Sequence, residues 1–385
     1  MIDKLLGDRD VEDWQIYVPV VRAKASEWKA LAALTPGIRR RIAPIIEFIP
    51  EWRGPGSGGG NRKPRAPQTP AEFVRRMVDG SIRSTPSGTR SFVYFGHAGA
   101  NAQWAGIELW SAFASQAPSG CGTLPLVDLA WIGSAAGLAR AVRSAGAGAG
   151  LRIGVADLGP MLVGHVAQAC RALGASPSEV HLIVDLQSNP AAASHATIRA
   201  SLGNIRAFGS VVVLAGVFPV DLTQYQPGVQ SEPRLEWRTW RREHVGTPPG
   251  ERPLGFGDYT TQCAHYRPSP AVPGSVSLRY TTEDAILVFR GRQANGGAGL
   301  GFEQIHGHCR LLVARPDYSG AVFSAGDQRI HCWTDPTKGP GNPEQWRTAC
   351  LAHHITQVVV QLQDNAGSSA TIRAWARGQV PAACP

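Results

Sequence analysis

Five carboxylates in this chain each close a short apolar run: Glu47 in RIAPIIEFIP, Asp128 in TLPLVDLA, Asp157 in RIGVADLG, Asp185 in HLIVDLQ and Asp258 in PLGFGDYTT. Brought together, such groups repel, and either protonation at a raised pKa or a bound divalent cation relieves them. A Mg²⁺ or Mn²⁺ ion held by these five would suit phosphoryl or phosphodiester chemistry and make the protein a metal-dependent phosphodiesterase or other hydrolase. His97 in SFVYFGHAG and Lys24 in QIYVPVVRAK stand at equivalent run ends, as candidate acid/base groups. Asp157 and Asp185 are candidates to relay protons. Arg22 and Arg290 have the fork geometry to clamp an anion. The competing reading of each aspartate is a helix cap, because each D-L-x motif lies close to a helix start.

The elements that must position these groups repeat. Asp128, Asp157 and Asp185 are 29 and 28 residues apart, and His97 precedes Asp128 by 31. A period near 30 is that of one strand–helix unit, and buried parallel strands read as continuous apolar runs. With SVVVLAGVFP, eight such runs alternate with helical patterns over residues 1–262. The expected fold is α/β, a TIM-like (β/α)₈ barrel, with the strand-end groups at its C-terminal mouth; an open doubly wound sheet would give the same alternation. Among the helical patterns, PAEFVRRMVDGSIRS, GIELWSAFASQA and SAAGLARAVRSAGA fall between the early strands. LEWRTWRREH carries Trp237 and Trp240, spaced to dock a helix on the barrel. Residues 263–385 form a C-terminal extension expected to pack on the barrel. Its strand-like pieces are SVSLRYTT, DAILVFRGR, CRLLVARP and AVFSAGDQRIHCW. A helix then follows over NPEQWRTACLAHHITQVVVQL, capped by Asn342 with Pro343 at its first position.

Net charge is +9, and residues 52–90 hold eight Lys/Arg against two acids. Within them the Gly/Pro-rich insertion 52–68 reads as a flexible loop over the mouth. It could hold an anionic small molecule, lie along nucleic acid, or simply be solvated. The alternative to an enzyme is therefore a non-catalytic barrel scaffold binding nucleic acid or a phage or host protein through the basic 52–90 loop. No run of 18 apolar residues and no signal-peptide h-region occur, so no membrane association and a cytoplasmic location are expected. The seven scattered cysteines, with no CxxC pair, are expected to be reduced. His306, His308, Cys309, His331, Cys332, His353 and His354 match no usual zinc spacing. Walker A, G-x-S-x-G, H-E-x-x-H and Rossmann glycine patterns are absent, which argues against P-loop NTPases, α/β-hydrolases and NAD enzymes.

YVPVVRAKASEWKALAAL, IAPIIEFIP, the strand-end aspartates, GFGDYTT, the RG of FRG, FSAGD and WR…HHITQV occur in an order that resembles the Beta protein family, from Tyr17 to about Leu362. The family is associated with phages and mobile bacterial loci. The resemblance implies a setting of phage–host conflict or anti-phage defence but no established reaction. It places weight on Lys24, Glu27, Glu47, Asp258, Tyr259, Arg290, Gly291, Ser324, Asp327, Trp346, Arg347, His353 and His354. Tyr259, Asp327, Arg347, His353 and His354 join Arg22 and Arg290 as candidate ligand-binding residues. The 52–68 loop looks like an insertion relative to the family pattern.

Overall fold

The computed structural model describes residues 15–49, 90–97, 122–134, 148–266, 275–294 and 299–363, with Asp3, Arg75, Val78, Asp79, Trp110, Ala376 and Gln379. The insertion 52–68 and the three early helical patterns fall almost wholly outside these residues. Each of the eight apolar runs is a parallel strand, and they close into a barrel. In chain order they are β1 (Val18–Arg22), β2 (Ile45–Glu47), β3 (Ser91–Tyr94), β4 (Thr123–Asp128), β5 (Ala149–Gly154), β6 (Val180–Asp185), β7 (Ser210–Ala215) and, after a strand β8 (Gly228–Pro233) that lies elsewhere, β9 (Gly255–Asp258). Closure runs through β9, which pairs Ala215 with Asp258 on one side and Pro19 with Asp258 on the other.

Successive side chains of a strand face opposite ways, and the alternation sorts the core into two sets. Val18, Val20, Ile45, Phe92, Leu124, Leu126, Ile183 and Leu214 fill the barrel interior. Their neighbours Val21, Ile46, Val93, Val127, Val184 and Val213 face the helices. On β5 the inward positions are Gly150, Arg152 and Gly154. A Cβ at Gly150 would come within 2.8 Å of the Phe92 and Leu126 side chains, so only glycine fits in this layer beneath Arg152.

The described helices are α1 (Ala25–Ala33), the one-turn α2 (Pro36–Arg39), α3 (Leu162–Leu173), α4 (His195–Leu202), α5 (Leu235–Val245), α6 (Gln304–Val313), α7 (Ala325–Cys332) and α8 (Pro343–Leu362). Trp237 and Trp240 of α5 are buried and pack their rings on Phe256, as their spacing predicts. Strands β10 (Ser275–Thr281) and β11 (Ala285–Gln293) pair antiparallel, and β11 pairs with β8, so the expected division at residue 262 is crossed by one strand. CRLLVARP and AVFSAGDQRIHCW, expected as strands, contribute instead to α6 and α7. A short apolar run is compatible with either element. In α6 the buried Ile305, Cys309 and Leu312 follow a helical period, and in α7 the Ser324 hydroxyl accepts the Asp327 N–H as a cap.

α8 joins the two parts. Asn342 accepts the N–H groups of Glu344 and Gln345 at its start. Trp346, Ala349 and Cys350 belong to the core under the three-stranded sheet, whereas Leu351, Ile355, Val358 and Val359 belong to the barrel's outer core. It packs against α1, and the Thr348 hydroxyl donates to the carbonyl of Ser26 at the mouth end of that helix. At the other end Gln363 reaches Gln15, ahead of β1. α8 thus takes the place of the eighth barrel helix, and the small sheet stands on the rim beside β1 and β9. No helix of the described residues is long and apolar enough to cross a membrane.

Candidate functional site at the barrel mouth

Three of the five predicted carboxylates meet at the mouth, because Glu47, Asp128 and Asp185 are the inward-facing last residues of β2, β4 and β6. Between them lies Arg152, which sequence reasoning missed. Its Nε and Nη2 donate to Asp185 Oδ2 at 3.0 and 2.6 Å, Nη2 also donates to the Tyr259 hydroxyl at 2.8 Å, and Nη1 lies 3.6 Å from Glu47 Oε1. Tyr259 in turn donates to Asp185 at 2.8 Å. The guanidinium sits 4.6 Å from the centre of the Tyr94 ring, and the Tyr94 hydroxyl donates to Asp128 at 2.8 Å. Burial alone would lower the Arg152 pKa, but Tyr259, Asp185, Tyr94 and Glu47 hold it well above the ordinary value. The positive charge that relieves the carboxylates is therefore a fixed side chain. The signal was present in LRIGVADLG, where an arginine interrupts an apolar run at inward parity.

His97 completes the site. Its Nε2 stands 3.3 Å from Glu47 Oε2, yet the two are not aligned for a hydrogen bond. Each is left without a hydrogen-bond partner among the described residues. Burial pushes the Glu47 carboxyl up, but His97, Arg152 and Arg22 outweigh it and hold it below the usual range. Burial also pushes Asp128 up and there prevails. Aromatic rings frame the opening: Tyr94 stacks on Trp131 at 6.1 Å, and His97 lies 5.4 Å from Tyr266 and edge-on to Tyr94.

The remaining predicted residues lie elsewhere. Asp157 is past the end of β5, where its Oδ2 accepts the Gly154 N–H at 2.8 Å. The 28–29-residue spacing aligned a turn residue with two strand residues, and Asp157 is a cap. Asp258 faces outward from β9, toward α8 rather than the mouth. Its Oδ1 accepts from Tyr17 and, at 2.8 Å, from the Thr260 N–H. His354 Nε2 is 3.2 Å from its Oδ2, and the other ring nitrogen meets the Thr281 hydroxyl at 2.8 Å. His353 bonds Asp327 at 2.9 Å and the Thr281 carbonyl at 2.7 Å, while Asp327 also accepts from Tyr280 and Ser324. Both histidines and Asp327 are fully buried, so this network holds the small sheet to α8 and is out of a ligand's reach. Arg290 is turned to the backbone carbonyls of Thr223 and Tyr225, not to the mouth. Lys24 is half-buried at the start of α1, and Arg347 is exposed in the second turn of α8.

The donor set does not fit the expected Mg²⁺ or Mn²⁺. Arg152 stands against both Glu47 and Asp185, and among the described residues no three His, Cys, Asp or Glu side chains come together as metal ligands. Cys332 is disulfide-bonded, which corrects the expectation that every thiol is reduced; proximity in space decides pairing, and spacing in sequence does not show it. Cys170, Cys263, Cys309 and Cys350 are free.

Fold and site together define a (β/α)₈ barrel protein with a polar, arginine-centred cluster at its C-terminal mouth. The family model described as Beta protein matches residues 17–360, nearly the whole chain, and the protein belongs to that family. Neither a curated protein nor a solved structure matches the chain.

Proposed function

We propose that the mouth is the active site of an enzyme that performs general acid–base chemistry on a small anionic ligand. The Glu47–His97 pair carries this reading. Glu47 is 1% exposed, and its Oε2 and the facing His97 Nε2 are both unsatisfied, with the His97 side chain 23% open to the mouth. Leaving a buried carboxylate oxygen without a partner costs roughly 1–3 kcal/mol, and here, unlike at the sealed Asp258 Oδ2, the facing histidine is partly open, so a ligand can supply the partner. A ligand hydroxyl or amine donating to Glu47 or exchanging a proton with His97 satisfies both atoms. In that exchange Glu47 stabilises the imidazolium. Asp128, raised where Glu47 is lowered, carries a proton more readily and is the complementary acid. Arg152, fixed by Asp185 and Tyr259, supplies positive charge where negative charge develops.

The test is to incubate wild type, His97→Gln and Glu47→Gln with a bacterial small-molecule extract and identify retained or consumed compounds by mass spectrometry. A compound retained or converted by wild type and by neither variant is expected. Identical profiles for all three would contradict the proposal.

A further inference from the structure

We infer that the rim beside β1 carries a phosphoryl-binding subsite built from Arg22, Arg279 and Arg347, which holds the phosphate of a small phosphomonoester while the rest of the molecule reaches Glu47 and His97; this rests on the acid–base reading of the mouth. Two of the three guanidinium groups grip consecutive residues of the segment that follows β9. Arg279 Nη1 donates to the Thr261 carbonyl at 2.6 Å, and Arg22 donates to the Gln262 side chain at 2.9 Å and the Cys263 carbonyl at 2.8 Å. The third comes from α8. The Arg279 N–H meets Cys350 Sγ at 3.4 Å, and Cys350 lies one helical turn from Arg347.

None of the three is ion-paired with a carboxylate among the described residues. Gln262 intervenes between Arg22 and the buried Glu27. Burial brings the Arg279 guanidinium down to about 10; Cys350 opposes it, and the charges of Arg347 and, less strongly, Arg22 add to the lowering against Tyr225. Among the described residues the one carboxylate felt by this group is Glu47, across the β1–β2 pair from Arg22, and cations that outnumber their counter-charges are costly to group, a cost an anion offsets. Three forks hold more unused N–H donors than one carboxylate needs, and a phosphoryl group, with two charges and three oxygens, matches them.

The placement follows from charge. Glu47, Asp128 and Asp185 repel a full anion from the centre of the mouth, so the phosphate stays on the rim. Tyr266 bridges the two: its ring lies 5.3 Å from the Arg22 guanidinium and 5.4 Å from the His97 ring. One aromatic side chain thus spans the step from anchor to acid–base pair, the reach of a sugar- or nucleoside-sized phosphate.

Calorimetric titration with inorganic phosphate at constant ionic strength tests the subsite. Wild type should bind one phosphate saturably. Arg279→Gln should weaken binding on the order of tenfold or more, and Arg347→Gln, at an exposed position, should weaken it as well. The exposed control Arg310→Gln should leave it intact, and Glu47→Gln, which removes a carboxylate acting on Arg22, should not weaken it. No saturable binding to wild type, or equal affinity in wild type, Arg279→Gln and Arg347→Gln, would overturn the inference. Phosphate binding that survives Glu47→Gln while the extract yields no compound would reject the acid–base reading alone.

Discussion

Glu47–His97 and Asp258–His354 pair the same residue types, 3.3 and 3.2 Å apart, on opposite faces of one barrel wall. Behind the wall, His354 is 0% exposed and tied at both ring nitrogens, and Asp258 Oδ1 accepts from Tyr17 and Thr260. Burial pushes Asp258 up, but His354, Arg234 and Tyr17 bring it below its usual range, while burial lowers His354 against the pull of Asp258. At the mouth the ring is partly open and its Nε2 unsatisfied. Asp258 Oδ2 and Glu47 Oε2 both lack a hydrogen-bond partner among the described residues, so neither residue type nor an unmade bond on the acid distinguishes a cross-brace from a reactive pair; the histidine does, tied at both nitrogens behind the wall and 23% exposed at the mouth.

The sharpest way to break this comparison is to remove an acid from the sealed side. Asp327→Ala deprives His353, Tyr280 and Ser324 of one acceptor at a fully buried position. It should cost about 3–5 kcal/mol in chemical denaturation. Next comes Glu236, a buried neighbour of Arg234 whose Oε2 lacks a hydrogen-bond partner and whose carboxyl burial raises to about 7. The folded protein keeps a proton that the unfolded chain releases near 4.5, so stability falls as pH rises from about 4.5 to about 7 and is level above. Glu236→Gln should abolish that fall, gaining on the order of 3 kcal/mol over wild type between about pH 4 and pH 8. Urea titrations across that range would show it. The smallest effect belongs to Asp157→Ala, which loses a cap worth about 1 kcal/mol and should leave ligand retention unchanged.

The barrel was legible because buried parallel strands are uninterrupted apolar runs, and Asp128 and Asp185 end theirs with the inward parity the mouth requires. Asp258 was placed at the mouth because glycines on both sides of Phe256 hide the parity of GFGDY; Tyr259 is the inward residue. Helices α6 and α7 were read as strands because their apolar stretches are short. Yet Ile305, Cys309 and Leu312, and the Ser324 cap of Asp327, carried the helical signal. Arg152 is marked in the sequence only by its parity, since a single cation within an apolar run belongs to no motif. Arg279 sits in an alternating strand where nothing local marks it as one of a cluster.

The central claim is tested most directly by measuring, on the same samples, unfolding free energy and retention of extract compounds for Glu47→Gln and Asp258→Asn. The account predicts a separation: Glu47→Gln abolishes retention with little change in stability, and Asp258→Asn loses stability while the folded protein still retains its compounds. If both variants lose stability and retention together, or if Glu47→Gln retains everything wild type does, the mouth is a second brace and not the site of function.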